Sequence, residues 1–98
     1  MGRKSRAQKI IDSIEKDIES EFQYLIVYDF RKIQATNRFW TNLNEIIGRL
    51  GGEMLQYSVY FGPIKGAIAV HDLVEGYGGE AAGFVILKNF ERRYVRNS

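Results

Sequence analysis

Tyr24 to Tyr28 reads YLIVY, five strand-favouring residues in a row. An apolar run without alternation is expected where a strand is buried on both faces, in the middle of a sheet. The rest of the chain must then supply flanking strands and covering helices, all around one core, since 98 residues suit a single domain. Composition allows it: 45% hydrophobic and 13% aromatic residues can bury an ordinary core.

The flanking segments alternate in kind. Ile10, Ile11, Ile14 and Ile18 share one face of an amphipathic helix predicted over residues 5–21. After the YLIVY strand, Phe39, Trp40, Leu43, Ile46, Ile47 and Leu50 recur at helical spacing. Thr36 or Asn37 is placed to cap that helix, and Gly51-Gly52 to end it. Glu53 to Phe61 alternates strictly, with Leu55, Tyr57, Val59 and Phe61 on one side and Met54, Gln56, Ser58 and Tyr60 on the other, until Gly62-Pro63 breaks the strand. Ile64 to Tyr77 fits a helix closed by Gly78-Gly79, and Gly83 to Phe90 a last strand. This order predicts an α+β sandwich with helices on one face of a sheet. For so short a chain the economical solution is a ferredoxin-like fold with an antiparallel sheet, preceded by an extra N-terminal helix. Glu53 to Phe61 must then bend, or pair with the strand at Gly83 to Phe90. The expected organisation is a basic segment and amphipathic helix over 1–21 and a ferredoxin-like domain over 22–98.

Several functions are excluded at this level. With no cysteine there is no disulfide, no thiolate zinc site and no thiol chemistry. No apolar run approaches the roughly 20 residues that cross a bilayer. The basic start leads into a charged amphipathic segment unlike a signal peptide. The expectation is a cytoplasmic protein without a membrane partner. Net charge is only +2, but Arg3, Lys4, Arg6 and Lys9 cluster at one end and Arg92, Arg93 and Arg96 at the other. An acidic stretch, Asp12, Glu15, Asp17, Glu19 and Glu21, masks them in the total. Local basic clusters suit a polyanion, although solvated chain ends are equally often basic.

Catalytic templates mostly fail. Ser58 lacks a nucleophile elbow, and His71, the only histidine, falls on a separate predicted helix. His71 and Glu75 are too few ligands for a metal site and read as exposed helix residues. GYGGEAAG has no Lys-Ser/Thr after it and reads as a helix stop and loop, not a phosphate cradle. Asp29 stands apart, at the C-terminal end of the YLIVY strand, where open sheets tend to hold ligands. A carboxylate there can serve Mg²⁺ or Mn²⁺, and a two-fold dimer would double it. Arg31, Lys32 and Arg38 are the candidate phosphate contacts. The plain alternative for Asp29 is a turn residue.

Two of these segments together resemble a family. Tyr28-Asp29 at a strand end, a helix closing on RLGG, and Gln56, Ser58, Val59, Tyr60 and Gly62 in the next strand are similar to the small dimeric CRISPR-associated protein that partners the CRISPR integrase in spacer acquisition. The resemblance spans roughly Gln23 to Phe90. It implies a ferredoxin-like fold, a homodimer, and Asp29 as a metal-binding and catalytic residue. It also implies contacts with nucleic acid, and either metal-dependent nuclease activity or a scaffold role beside the integrase. Tyr28, Gln56, Ser58 and Tyr60 are then residues that shape the site. The N-terminal helix is additional to the family pattern, and Phe30 is bulkier than usual after the aspartate.

Two other readings compete. LIVYDF and AAGFVILKNF are similar to the signature strands of RNA-recognition motifs, which stack bases on sheet aromatics. Tyr24, Tyr28, Tyr60 and Phe84 are, however, expected in the core. Alternatively the chain is a structural or regulatory dimer that docks its Ile-rich helix on a partner.

Overall fold

The structure, a computed structural model, describes residues 3–31 and 35–86. The YLIVY run lies in β1 (Gln23–Asp29), which is central, with neighbours along both edges. After it come α2 (Asn37–Leu50), β2 (Glu53–Gln56), β3 (Val59–Gly62), α3 (Ile64–Gly76) and β4 (Glu80–Ile86), with α1 (Arg6–Ser13) ahead of them all. The strands form one four-stranded sheet in the order β2-β3-β1-β4, every pairing antiparallel. That topology, with the helices on one face, is the ferredoxin-like α+β sandwich expected from the element order.

The covering of β1 differs from expectation. Ile26 and Tyr28 are buried under the helices, but Val27 on the opposite face is 39% exposed. The strand is central in the sheet and covered on one side only. Its unbroken apolar run reflects two apolar faces, of which one is left open among the described residues.

Glu53 to Phe61 bends rather than continuing as one strand. It splits into β2 and β3 around a turn at Tyr57-Ser58, with a register shift between Met54 and Gln56. The turn uses no glycine, asparagine or positive φ, and Ser58 alone is a weak turn signal. Tertiary pairing sets it instead: the Tyr28 N–H donates to the Ser58 carbonyl at 3.0 Å and the Tyr28 hydroxyl to the Tyr57 carbonyl at 3.3 Å.

α1 is much shorter than residues 5–21. Ser5 caps it, its hydroxyl accepting from the Gln8 N–H at 3.0 Å, but Ile14 has already left the helix. Two local causes act together. The Ser13 hydroxyl bonds back to the Ile10 carbonyl at 2.7 Å, which competes with the helix. Continuation would also set Glu15 against Glu19 and Asp17 against Glu21 at i,i+4, all at a helix C-terminus that disfavours negative charge.

The core lies between the sheet and the helices. Phe39, Leu43 and Ile46 of α2 and Ala67, Val70, Leu73 and Val74 of α3 are buried there with Ile26, Tyr28 and Tyr60. α2 is capped by Thr36, whose hydroxyl accepts from the Phe39 N–H at 3.2 Å, and ends at Gly51, φ 92°. Phe39 meets Tyr28, Phe30, Trp40 and Tyr77 edge-on at 4.9–5.9 Å. Phe30 thus turns inward directly after Asp29, which accounts for its bulk. β4 begins at Glu80, three residues ahead of the predicted Gly83, because Glu80 to Ala82 pair with Asp29 to Val27 despite weak strand propensity. The predicted continuation to Phe90 lies outside the described residues.

Candidate functional site

The end of the sheet where β1 finishes gathers most of the residues singled out from sequence. Asp29 is the last residue of β1 and stands opposite Glu80, the first of β4, so both carboxylates lie on the open face. Glu80 had no sequence signal, since only strand register makes it a neighbour. Arg31 sits between them, its Nε 3.1 Å from Asp29 Oδ2 and 3.9 Å from Glu80 Oε2. All three side chains are well exposed, at 61%, 75% and 75%, so the ion pairs contribute about 0–1 kcal/mol and leave the groups available.

Behind this end the helices bring in cations from elsewhere in the chain. Arg38, exposed on the first turn of α2, lines a cleft of about 410 Å³ with Lys4, Arg6, Asn37 and Tyr77. α1 is held there by a specific set of contacts. Asn42, a buried polar residue of α2, accepts from the Ala7 N–H at 2.8 Å and donates to the Arg38 carbonyl at 2.8 Å and the Tyr77 hydroxyl at 3.3 Å. The Arg6 guanidinium lies 4.7 Å over the Tyr77 ring and donates to the Gly76 carbonyl at 2.9 Å, at the C-terminus of α3. Lys4 reaches Asp12 at 2.7 Å, and this pair with the Gln8 hydrogen bond holds the Asp12 carboxyl below its ordinary pKa. Glu45 also borders the cleft and accepts from the Ser5 hydroxyl at 2.9 Å. Two stretches of sequence far apart, one at Arg3–Lys9 and one at Arg38, therefore meet. Lys32, the remaining candidate contact, lies outside the described residues, as do Arg92, Arg93 and Arg96.

The residues expected to shape the site divide. Tyr28 points inward and, with Ser58, fixes the β2–β3 turn through backbone contacts. Burial, and secondarily the neighbouring Tyr57, pushes the Tyr28 phenol up to about 12. Tyr60 is wholly buried at a site walled by Gly52, Gly62 and Gly66, and its hydroxyl donates to the Gly51 carbonyl at 2.8 Å. Burial also raises it to about 12. Gln56 is exposed at the end of β2.

Elsewhere the chemistry is thinner. His71, Asp72 and Glu75 cluster on α3 with ligand atoms within 4.8 Å of one another. The imidazole, however, turns Nδ1 to Asp72 at 3.3 Å and Nε2 to Glu75 at 3.6 Å, so its two nitrogens serve different carboxylates. A larger cleft of about 940 Å³ lies near the opposite end, between the 18–22 segment, the end of α2 and the start of α3, and none of the predicted site residues lines it. Phe84, expected in the core, is 53% exposed on the open face, whereas Tyr24, Tyr28 and Tyr60 turn towards the helices. The aromatics on that face among the described strand residues are Phe61 and Phe84, both in register with Leu25. The strand residues in register on it are Gln23, Leu25, Val27, Gln56, Val59, Phe61, Ala82, Phe84 and Ile86 with the acidic Asp29, Glu53 and Glu80. Among the described residues, no helix is long and apolar enough to cross a membrane. No family model, curated protein or solved structure matches the chain.

Proposed function

We propose that this protein binds nucleic acid at its basic end, as a homodimeric subunit of the spacer-acquisition kind that holds nucleic acid beside an integrase. The observation that carries the reading is the convergence of Lys4, Arg6 and Arg38 on one cleft, at the same end of the sheet as Arg31. The cations come from separate parts of the chain, and phosphates are the groups such a set recognises. An RNA-recognition-type surface on the open sheet face is disfavoured by the acidic strand residues there. That face suits protein instead, and is where the second copy is expected.

Metal-dependent cleavage is the second reading, favoured by the same-face register of Asp29 and Glu80. In one copy these two carboxylates do not fit a resident Mg²⁺ or Mn²⁺, because the Arg31 guanidinium occupies the place between them. Binding is therefore the function the geometry supports best.

Titration of labelled DNA and RNA against the full chain tests both. Binding should weaken steeply with salt, by counterion release, and persist in chelator. Arg38→Ala should lower affinity and make the salt dependence shallower by about one phosphate contact. Failure of the native chain to bind any polyanion would overturn the proposal. Cleavage that needs Mg²⁺ or Mn²⁺ and vanishes in Asp29→Asn would instead establish the second reading.

A further inference from the structure

The hairpin tip between β2 and β3 places a tyrosine where a turn residue would serve. Tyr57 is 78% exposed, yet its position is braced from two sides. Its carbonyl is held by the Tyr28 hydroxyl at 3.3 Å, and its ring rests on Trp40 at 5.2 Å with the planes tilted by 51°. Trp40 is in turn held edge-on by the buried Phe39 at 5.1 Å. The result is a fixed aromatic step with solvent on its outer side. The outer face of the ring is open to a flat partner.

The step lies across the first turn of α2 from the basic cleft. Trp40 follows Arg38 by two positions on α2, which at about 100° per residue sets them on opposite flanks of the helix's first turn. The cations of the cleft lie on one flank and the Trp40–Tyr57 step on the other, separated by roughly the 10 Å width of a helix. A strand whose phosphates lie in the cleft can reach the step across that turn. Inside a duplex the bases are already stacked on one another, so a nucleobase there offers it a free face only when unpaired.

We infer that the nucleic acid this end takes is single-stranded, or has an unpaired end, and that Tyr57 stacks on one of its bases. This rests on the nucleic-acid reading and narrows it to a substrate class. Cations in the cleft serve single and double strands alike, whereas Tyr57 serves only the unpaired form.

The two contributions separate in one experiment with the full chain, using a labelled oligothymidylate and a DNA duplex of equal length. Tyr57→Ala should weaken the single strand about tenfold, the scale of one base–aromatic stack, and leave the duplex unchanged. Tyr57→Phe should keep native affinity for both. Arg38→Ala should weaken both. Trp40 is the only tryptophan of the chain, so its emission should be quenched by the single strand and not by the duplex. If the native chain binds but Tyr57→Ala leaves single-strand affinity unchanged, or lowers both forms equally, the stacking role is overturned while the nucleic-acid reading stands. If the native chain binds neither form, both fall.

Discussion

Tyr28 and Tyr60 make the sharpest demands of any single residues. Each lies buried under the helices, each donates its hydroxyl to a backbone carbonyl, and each phenol is raised to about 12 from an ordinary value of 10.0. A raised acid keeps its proton in the folded chain after the unfolded chain has lost it. Their contribution is therefore complete below pH 10 and is lost as pH rises from about 10 towards about 12. Thermal melts across pH 8–12 should show the midpoint falling once pH passes roughly 10. In Tyr60→Phe the alkaline fall should be shallower, with a lower midpoint at neutral pH from the lost hydrogen bond, about 1 kcal/mol. An alkaline slope identical in native chain and variant would show that Tyr60 titrates normally. Tyr60 carries a motif position, but the contacts it makes are those of a core residue.

Among the elements, α1 depends most on a single partner. Only eight residues long, it is too short to be stable by itself and is ordered by what it packs against. Ala7 is buried, Ile10, Ile11 and Ile14 pack on the core, and Asn42 satisfies the Ala7 N–H that the first turn leaves unpaired. Asn42→Ala removes that acceptor and leaves a buried donor unmet, so it should cost about 1–3 kcal/mol in urea unfolding. Hydrogen exchange should speed up in α1 well before it does in β1 or α3. Uniform acceleration throughout the chain would mean that α1 is no separate unit and the docking account is wrong. Loosening α1 also disturbs Arg6 in the cleft, so the same variant should bind nucleic acid less well.

The whole molecule is two-sided. Among the described residues, helices cover one face of the sheet and the other leaves Val27 and Phe84 at 39% and 53% exposure. Contiguous apolar surface of this kind generally marks an interaction site. For the homodimer proposed above, Phe84→Lys should shift the sedimentation equilibrium of the chain from dimer to monomer. It should leave the far-ultraviolet circular dichroism unchanged, because the side chain adds nothing to the described core. A native chain that sediments as a monomer at high concentration would remove the second copy from the proposal.

Element type followed from sequence because periodicity is local. The 3.6-residue repeat at Phe39–Leu50, the apolar stretch at Ile64–Tyr77 and the YLIVY run each dictate a helix or strand from neighbouring side chains alone. Asp29 at a strand end and Arg38 at a helix start were legible for the same reason. Only the tertiary structure decided the break at Tyr57-Ser58, the pairing of Asp29 with Glu80, and the meeting of Lys4, Arg6 and Arg38. Each depends on residues far apart in the chain or on which alternative contact wins. Strand register and helix docking are set by burial and by hydrogen bonds between segments, and a linear pattern does not encode which segments those are.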